Sequence, residues 1–358
     1  MNKTKIISSA PGRICLFGEH QDYLGLPVIA AAISLRISIE GQITNERFVN
    51  ISLPDIEAEE RFSLSGEIRY EKERDYFKSC IKILQRNGFT FSKGINCSVK
   101  GEIPINAGAS SSSALVVGWI NFLVNISDQN KSLADKEIAE LAYKAEVLEF
   151  SEPGGMMDHY STALGGVIYL ESFPSIKVQK IKPLPGVFVL GNSGEPKDTK
   201  TILKRVKFQV LDIVKALGKK YSDFSLPECK IEEIEKYSRE LDNDQKKLLA
   251  ATIKNRDITR QAKKLFGASE VDRNKVSILI NQHQAILRES LNISTIKIDK
   301  MIDAALNAGA LGAKINGSGG GGCMFAYAPE YNEEVRGAIE KAGGKSYIIK
   351  IDSGVRLK

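Results

Sequence analysis

The chain has 358 residues, of which 42% are hydrophobic and 26% charged, and its 50 basic and 44 acidic side chains give a formal net charge of +6. This composition is typical of a globular protein, and the length is sufficient for two domains with their own cores. There is no apolar run of membrane-spanning length and no basic stripe with interleaved aromatic residues, and the five scattered cysteines indicate reduced thiols. We therefore expect a cytoplasmic protein that binds neither membranes nor nucleic acid.

The first hundred residues are predicted to form mostly β-strands. Ile, Val and Ser are frequent at 5–9, 30–44 and 50–53, and residues 94–100 alternate in the manner of a half-buried strand. The spacing of apolar residues at 74–87 predicts a helix that ends at an Asn-Gly pair.

A cluster of polar residues follows the first strand, which we expect to end at a Pro-Gly-Arg sequence. The cluster comprises Arg13, Glu19, His20, Asp22 and Tyr23. A turn that fixes such groups can bind a polyol, because each hydroxyl of the ligand both donates and accepts hydrogen bonds. A solvated surface turn would explain any one of them, but five polar groups interleaved with apolar residues favour a binding site.

Residues 103–114, IPINAGASSSSA, place four serines directly before an apolar run that predicts a helix to about residue 126. A turn of this kind presents backbone N–H groups and hydroxyls at the positive end of the helix dipole, which suits a phosphate group. The segment lacks the lysine of a P-loop, so a nucleotide bound here would belong to a different fold. The alternative is a serine that only caps the helix.

Two further carboxylates lie near the end of a second helix, predicted at 132–149 with a serine N-cap at its first residue. Glu146 lies on that helix and Asp158 follows a Gly-Gly turn. If the turn folds back, the two could share one cleft, one binding a metal and the other lying beside a reacting hydroxyl. Glu149 and Glu152 are rival carboxylates that the spacing does not exclude.

The second half of the chain is predicted to mix strands with charged helices. The predicted elements are strands at 165–170, 177–182 and from 186, a helical segment at 197–267, helices at 275–290, 295–308 and 333–342, and a strand at 345–351. The best boundary is the Pro-Leu-Pro-Gly sequence at 183–186. We expect an α+β fold with domains at 1–185 and 186–358.

A glycine loop at 317–322 contains the pattern G-x-G-x-x-G. An apolar strand rather than a helix follows it, so the pattern does not indicate a Rossmann dinucleotide site. Its glycines would allow the backbone to approach a phosphate or another backbone closely, and a flexible hairpin is the alternative.

The order of these segments resembles that of the GHMP kinase superfamily, which includes galactokinase, homoserine kinase, mevalonate kinase and phosphomevalonate kinase. Residues 12–23, GRICLFGEHQDY, are similar to the galactokinase signature GRxNLxGEHxDY, residues 104–114 to PxxxGLxSSA, and residues 314–323 to the third superfamily motif. The resemblance implies an N-terminal half like domain 2 of ribosomal protein S5, a ferredoxin-like C-terminal half, and an active cleft between them. It also implies phosphorylation of a small-molecule hydroxyl with ATP and Mg²⁺.

The resemblance further implies a role for each site residue. Asp158 would be the catalytic carboxylate, with Arg13 stabilising charge beside it, and Glu146 and Ser112 would bind Mg²⁺. The substrate would contact Glu19, His20, Asp22 and Tyr23. ATP would be bound by Gly108, Ala109, Ser110, Ser111, Ser112 and Ser113.

The first motif favours a sugar as the substrate. Asp22 replaces an apolar residue of the mevalonate kinases, and an unpaired buried Asp is costly against an apolar ligand. In contrast, residues 280–323 are more similar to mevalonate kinase, and His159 stands where galactokinases have Gln. We predict a kinase that acts on the anomeric hydroxyl of galactose or a related hexose or uronic acid. Mevalonate kinase and a non-catalytic regulator that binds ATP and a sugar are the alternatives.

Three positive charges in the helical segment bear on the choice of sugar. Lys197, Lys200 and Arg205 would favour an acidic substrate if they reach the cleft, although lysines on such a segment usually lie on a solvated helix face. The sequence does not indicate an oligomeric state.

Overall fold

The computed structural model describes residues 5–129, 131–196, 202 and 204–358, and its strands form two sheets. The strands are β1 Ile6–Phe17, β2 Val28–Thr44, β3 Phe48–Leu53, β4 Ala58–Ser63, β5 Gly94–Gly101, β6 Val167–Glu171, β7 Lys177–Ile181, β8 Phe188–Asn192, β9 Gly312–Asn316, β10 Cys323–Tyr327, β11 Lys345–Ile349 and β12 Arg356–Leu357. The α-helices are α1 Tyr76–Arg86, α2 Ser111–Ile126, α3 Asp135–Tyr143, α4 Met157–Leu164, α5 Gln209–Lys220, α6 Asn243–Phe266, α7 Arg273–Ala285, α8 Ile296–Asn307 and α9 Asn332–Lys341. Within these described ranges, no helix has both the length and the hydropathy needed to cross a bilayer.

The first sheet is organised around β2, which has 17 residues. The strand order is β12-β1-β2-β5-β3-β4, and the beginning of β2 also pairs with β6, which pairs with β7. The pair β3 and β5 is parallel, whereas the other pairs are antiparallel. Register shifts in β1 lie on either side of Arg13, which is opposite Ala32 of β2. Such bulges change the direction of side chains at the end of a strand.

Helix α2 packs against β1 and β2 on one side and against helices α1, α3 and α4 on the other. Its sequence is apolar around its whole circumference, which is typical of a helix enclosed by protein. Trp119 and Phe122 are fully buried and stack at 5.4 Å between ring centroids. Because this core fixes the helix, the position of its N-terminal residue, Ser111, is fixed as well.

The second sheet has the antiparallel strand order β11-β8-β10-β9, and helices α7, α8 and α9 pack against it. Helices α5 and α6 form a further layer with its own apolar cluster, and this cluster includes Leu26 from the turn after β1. The largest apolar cluster contains Phe17 of β1 together with Phe188 and Phe325 of the second sheet. The two sheets therefore share one continuous core.

Several predicted boundaries were wrong. Strand β1 does not end at Arg13 but continues to Phe17, because its bulges accommodate the proline. Helix α3 begins three residues after Ser132, and Ala134 at its N-cap donates its N–H to the Glu137 side chain at 2.8 Å. Strand β4 was not predicted. Neither was helix α4, which begins inside the segment interpreted as a turn and carries Asp158 in its first turn.

The predicted α+β class is confirmed. The change from the first sheet to the second lies between β7 and β8, close to the predicted boundary at 185/186. Strand β12 does not follow the predicted division. It lies in the range assigned to the second domain but pairs with β1, with Leu357 opposite Ser8. The C-terminal residues of the chain thus complete the N-terminal sheet.

Candidate active site

A cleft of about 230 Å³ lies where the end of β1, the N-termini of α2 and α4, and the glycine loop 317–322 meet. The predicted site residues that line it are Arg13, Glu19, His20, Asp22, Tyr23, Ser112, Ser113, Glu146 and Asp158. Segments that lie far apart in the chain thus come together at one place.

Asp158, in the first turn of α4, forms a bidentate ion pair with Arg13 of β1. Arg13 donates from Nε to Oδ1 and from Nη2 to Oδ2, each at 2.8 Å, and the Ser110 hydroxyl donates to Oδ2 at 2.6 Å. The Arg13 side chain is only 5% exposed, whereas Asp158 is 28% exposed and faces the cleft. The predicted catalytic carboxylate therefore lies against the first serine of the serine segment.

The contacts of Asp158 decide its charge and its free hydrogen-bonding capacity. Burial alone would raise the pKa of Asp158, but Arg13 and Ser110 outweigh burial and hold this pKa below its usual value. A carboxylate offers about four acceptor positions, and Arg13 and Ser110 fill three of them. One position therefore remains for a hydroxyl group in the cleft.

The serine segment turns sharply as it enters α2. Ser110 has a left-handed backbone conformation, with φ 59° and ψ 43°, immediately before the helix begins. Ser112 and Ser113 line the cleft, and Ser111 and Ser112 also line an adjoining cavity. The first backbone N–H groups of a helix have no partner within the helix, so this end of α2 can donate to an anion.

The two residues before these serines have structural contacts. The Gly108 carbonyl accepts hydrogen bonds from Arg13 and from Asn316 of β9, and fully buried Ala109 accepts one from the Arg13 backbone. Gly317 lies directly against Gly108. A Cβ atom at Gly317 would come within 3.0 Å of the Gly108 carbonyl oxygen, and its φ of 84° also favours glycine. The glycine loop and the serine segment are thus in backbone contact.

Glu146 lies on a π-helical turn, Lys144–Leu148, that continues α3. His159 donates from Nε2 to Glu146 Oε2 at 2.7 Å, and both residues line the cleft. The other oxygen, Oε1, accepts no hydrogen bond from the described part of the chain. It is therefore the oxygen of Glu146 that a cation could bind.

The two rival carboxylates are committed to ion pairs. Glu149 accepts hydrogen bonds from Arg86 and Tyr70 and does not line the cleft. Glu152 lines the cleft but forms a bidentate pair with Arg74, at 2.8 Å for both contacts. Of the three glutamates, Glu146 is the one that has an oxygen available.

Glu19 forms a fully buried ion pair with Lys314 of β9, at 2.5 Å, and its other oxygen accepts the Gly317 N–H at 2.9 Å. Lys314 Nζ also donates to the carbonyls of Cys15 and Ile315, each at 2.9 Å. Both oxygens of Glu19 are therefore used inside the protein. In this structure Glu19 connects the end of β1 to the glycine loop, which differs from the direct substrate contact expected from the sequence.

His20 and Tyr23 form one side of the cleft. His20 Nε2 lies 3.0 Å from the Ser318 carbonyl, which can only accept, so Nε2 donates and Nδ1 accepts the Tyr23 hydroxyl at 2.7 Å. Both rings are thereby oriented by the glycine loop.

Asp22 is the carboxylate of this turn that is not bound to a lysine or arginine in the described structure. It accepts the backbone N–H groups of Tyr23 at 2.9 Å and of Met157 at 3.3 Å. Burial and the nearby Asp158 raise the pKa of Asp22. A Cβ atom at Gly155 would lie 1.9 Å from its Oδ2, so the Gly-Gly turn makes room for this carboxylate.

An apolar cavity of about 300 Å³ adjoins the cleft. Aliphatic and aromatic side chains from β2, β5 and α1 form its walls, including Ile37, Val99 and Phe77. Three residues line both spaces: Arg74, Tyr76 and Ser112. A ligand with a flat apolar part and a charged part could therefore extend from one space into the other.

Three cations near the site were not identified from the sequence. Lys314 is the first residue of the third motif, and its position in an apolar strand is the one signal that could have marked it as buried. Arg74 and Lys207 lie in charged segments that offer no such signal. Of the cations considered for an acidic substrate, Arg205 contacts the carbonyls of Leu291 and Asn292 instead of the cleft. Lys197 and Lys200 lie outside the described residues.

Comparison with known families matches three parts of the chain. Residues 75–166 match the GHMP kinases N terminal domain, and residues 264–345 match the GHMP kinases C terminal domain. Residues 1–42 match the galactokinase galactose-binding signature. The last of these contains the turn that carries His20, Asp22 and Tyr23.

Full-length relatives include two kinds of kinase. The mevalonate kinase of Pyrococcus furiosus is 31% identical, with 99% of this chain and 98% of that protein covered. A galactokinase of Haemophilus influenzae is 27% identical, with coverage of 99% and 96%. Among solved structures, Lactococcus lactis galactokinase in complex with galactose has a TM-score of 0.85 at 24% identity, with coverage of 98% and 95%. Methanococcus jannaschii mevalonate kinase has a TM-score of 0.74 at 22% identity, with coverage of 99% and 100%.

Proposed function

Because the chain belongs to the GHMP kinase family of phosphotransferases, we propose that it transfers the γ-phosphoryl group of ATP to the anomeric hydroxyl of a hexose or uronic acid. The observation that carries this proposal is the placement of Asp158. It is bound by Arg13, contacts Ser110, and lies in the same cleft as Asp22. A phosphate at the start of α2 and a hydroxyl on Asp22 would therefore meet at Asp158.

Two adjoining spaces support ATP as the phosphoryl donor. The apolar cavity can take the purine, and the N–H groups and hydroxyls at the start of α2 can bind phosphate oxygens. Ser112 borders both spaces, so the triphosphate would pass along it. The γ-phosphate would then reach the cleft that contains Asp158.

The chain's residues also fit Mg²⁺. This ion usually takes one or two protein oxygens and completes its shell with phosphate and water. Glu146 has one available oxygen and Ser112 a hydroxyl, both on the same cleft. When bound, Mg²⁺ would neutralise part of the charge on the phosphates.

Asp158 would act mainly by orienting the acceptor hydroxyl. Its lowered pKa makes it an anion at neutral pH and a weak base, and its remaining acceptor position can receive one O–H. Since the transition state of phosphoryl transfer is largely dissociative, positioning matters more than early deprotonation. Arg13 holds the carboxylate in place and contributes positive charge beside the transferred group.

Asp22 supports a polyhydroxylated acceptor. Its two hydrogen bonds from backbone N–H groups leave acceptor capacity on both oxygens, which suits adjacent hydroxyls of a sugar. The match of residues 1–42 to the galactose-binding signature is in agreement. Mevalonate is the second candidate, because the Pyrococcus furiosus mevalonate kinase is similar over nearly the whole chain.

Replacement of Asp22 by Ala should raise the KM for the sugar by about ten- to a hundredfold, because hydrogen bonds to a charged group are lost. The KM for ATP should change far less. Steady-state kinetics with each substrate varied in turn measure both values. Equal increases in the two KM values would contradict the role assigned to Asp22.

Arg74 provides a test of the ATP path. Replacement by Gln should raise the KM for ATP by about three- to tenfold, because a positive charge is lost where the two spaces meet. Arg86→Gln is the matched control, since Arg86 forms a similar pair with Glu149 but borders neither space. An equal effect of the two substitutions would contradict this path.

The proposed function is tested by ADP release with Mg-ATP and a panel of galactose, other hexoses, their uronic acids and mevalonate. We expect turnover with at least one sugar. Turnover with mevalonate alone would establish the second candidate. Sugar binding without any ADP release would indicate a non-catalytic regulator.

A further inference from the structure

Lys207 contacts residues that line the cleft and lies on the π-helical turn Lys204–Phe208 that precedes α5. Its Nζ donates to the Pro153 carbonyl at 2.7 Å and lies 4.9 Å from the centroid of the Tyr23 ring. Pro153 and Tyr23 both line the cleft. The ammonium group of Lys207 is therefore in contact with two residues of the proposed substrate site.

This ammonium group has no salt bridge to a carboxylate within the described ranges. Lys207 is half-buried, and burial lowers its pKa while Asp22 opposes that shift. An ammonium group has three N–H donors, and the Pro153 carbonyl takes one of them. A partly buried cation with spare donors is unfavourable on its own, and an anionic ligand would compensate it.

The arginines that line the cleft are already paired. Arg13 binds Asp158, Arg74 binds Glu152, and the carboxylates Asp22 and Glu146 add negative charge. The acidic group of a substrate would be repelled by Asp22 and Glu146. Lys207, beside Pro153 and Tyr23, offers a position where that acidic group would be attracted instead.

We propose that Lys207 binds a carboxylate group of the acceptor, so that the substrate is an acid. This inference rests on the proposed function and narrows its substrate class. A uronic acid would direct its sugar hydroxyls to Asp22 and its carboxylate to Lys207. Mevalonate also carries a carboxylate group, so it is the other acceptor that Lys207 could bind in this way.

The test compares substrates that differ only at that group, galacturonate with galactose and glucuronate with glucose. The ratio of kcat/KM for the acid to kcat/KM for the hexose should exceed one in the parent enzyme. It should fall by about ten- to a hundredfold in Lys207→Met, because a charge-assisted hydrogen bond is lost. Lys207→Arg, which keeps the charge, should retain most of the preference. Lys215→Met, an exposed lysine of α5, should leave the ratio unchanged.

Two results would overturn the role of Lys207: a ratio that Lys207→Met does not change, or a parent enzyme that prefers the neutral hexoses. Mevalonate turnover that depends on Lys207 would keep the carboxylate contact but exclude a sugar. If none of these compounds is phosphorylated, calorimetric binding of the acids still decides the matter. If Lys207→Met binds the acids about tenfold more weakly or worse than the parent, the Lys207–carboxylate contact is supported even though the proposed kinase activity fails. If binding is unchanged in Lys207→Met, or undetectable in the parent, the contact is refuted.

Discussion

Replacing Asp158 by Asn is expected to lower kcat by about a hundredfold or more while ATP still binds. Asparagine keeps the size of the side chain but loses the negative charge that orients the acceptor hydroxyl and accepts its proton. It also leaves the buried Arg13 guanidinium without its ion-pair partner. The measurement is steady-state kcat together with the Kd for ATP in the absence of an acceptor.

Ser110→Ala provides the matched control for this result. It removes one hydrogen bond to Asp158 and leaves the charge and the two bonds from Arg13 in place. We expect a loss of about tenfold or less in kcat, because a single hydrogen bond to a charged group is removed. Near-normal turnover by Asp158→Asn would remove Asp158 from the chemistry.

The second large effect concerns stability. Replacing Lys314 by Met should lower the free energy of unfolding by about 3–5 kcal/mol, because Glu19 is then left as an uncompensated buried charge. Denaturant unfolding measures this change. Adding Glu19→Gln to Lys314→Met should recover part of the loss, since the unpaired charge is then removed as well. Lys236→Met, at an exposed ion pair with Asp223, should have little effect.

A loss in Lys314→Met as small as that in Lys236→Met would contradict the account of the buried pair. So would a double variant that is less stable than Lys314→Met alone. The same pair holds the Gly317 N–H through Glu19, so its removal should also affect the glycine loop.

Local signals allowed much of the site to be predicted from the sequence. The four serines before an apolar run indicated the start of α2, and the Gly-Gly turn before Asp158 indicated that this carboxylate could return toward Glu146. Both indications depend on neighbouring residues in the chain. The structure places Asp158, Ser112 and Glu146 in one cleft, as these signals suggested.

Contacts between distant segments could not be predicted in the same way. Glu19 and Lys314 are 295 positions apart, and no local pattern indicates that one neutralises the other. The bulges of β1 depend on its pairing with β2, which is a contact between separate strands. Because of these bulges, the strand continues beyond its predicted end. Lys207 and Arg74 look like any solvated charge in the sequence. Only the folded chain brings Arg74 into the lining of the cleft and Lys207 against Pro153.

In the proposed reaction, Asp158 directs the γ-phosphoryl group of ATP to the anomeric hydroxyl of a sugar. Proton-coupled phosphorus NMR of the product mixture, with selective irradiation of the anomeric proton, tests this. A phosphate on the anomeric carbon gives a doublet that collapses when that proton is irradiated, whereas a phosphate on another carbon does not. We expect that doublet with a hexose or uronic acid in the parent enzyme and its near disappearance in Asp158→Asn. A phosphate ester formed only on mevalonate, or an anomeric phosphate formed equally well by Asp158→Asn, would contradict the account.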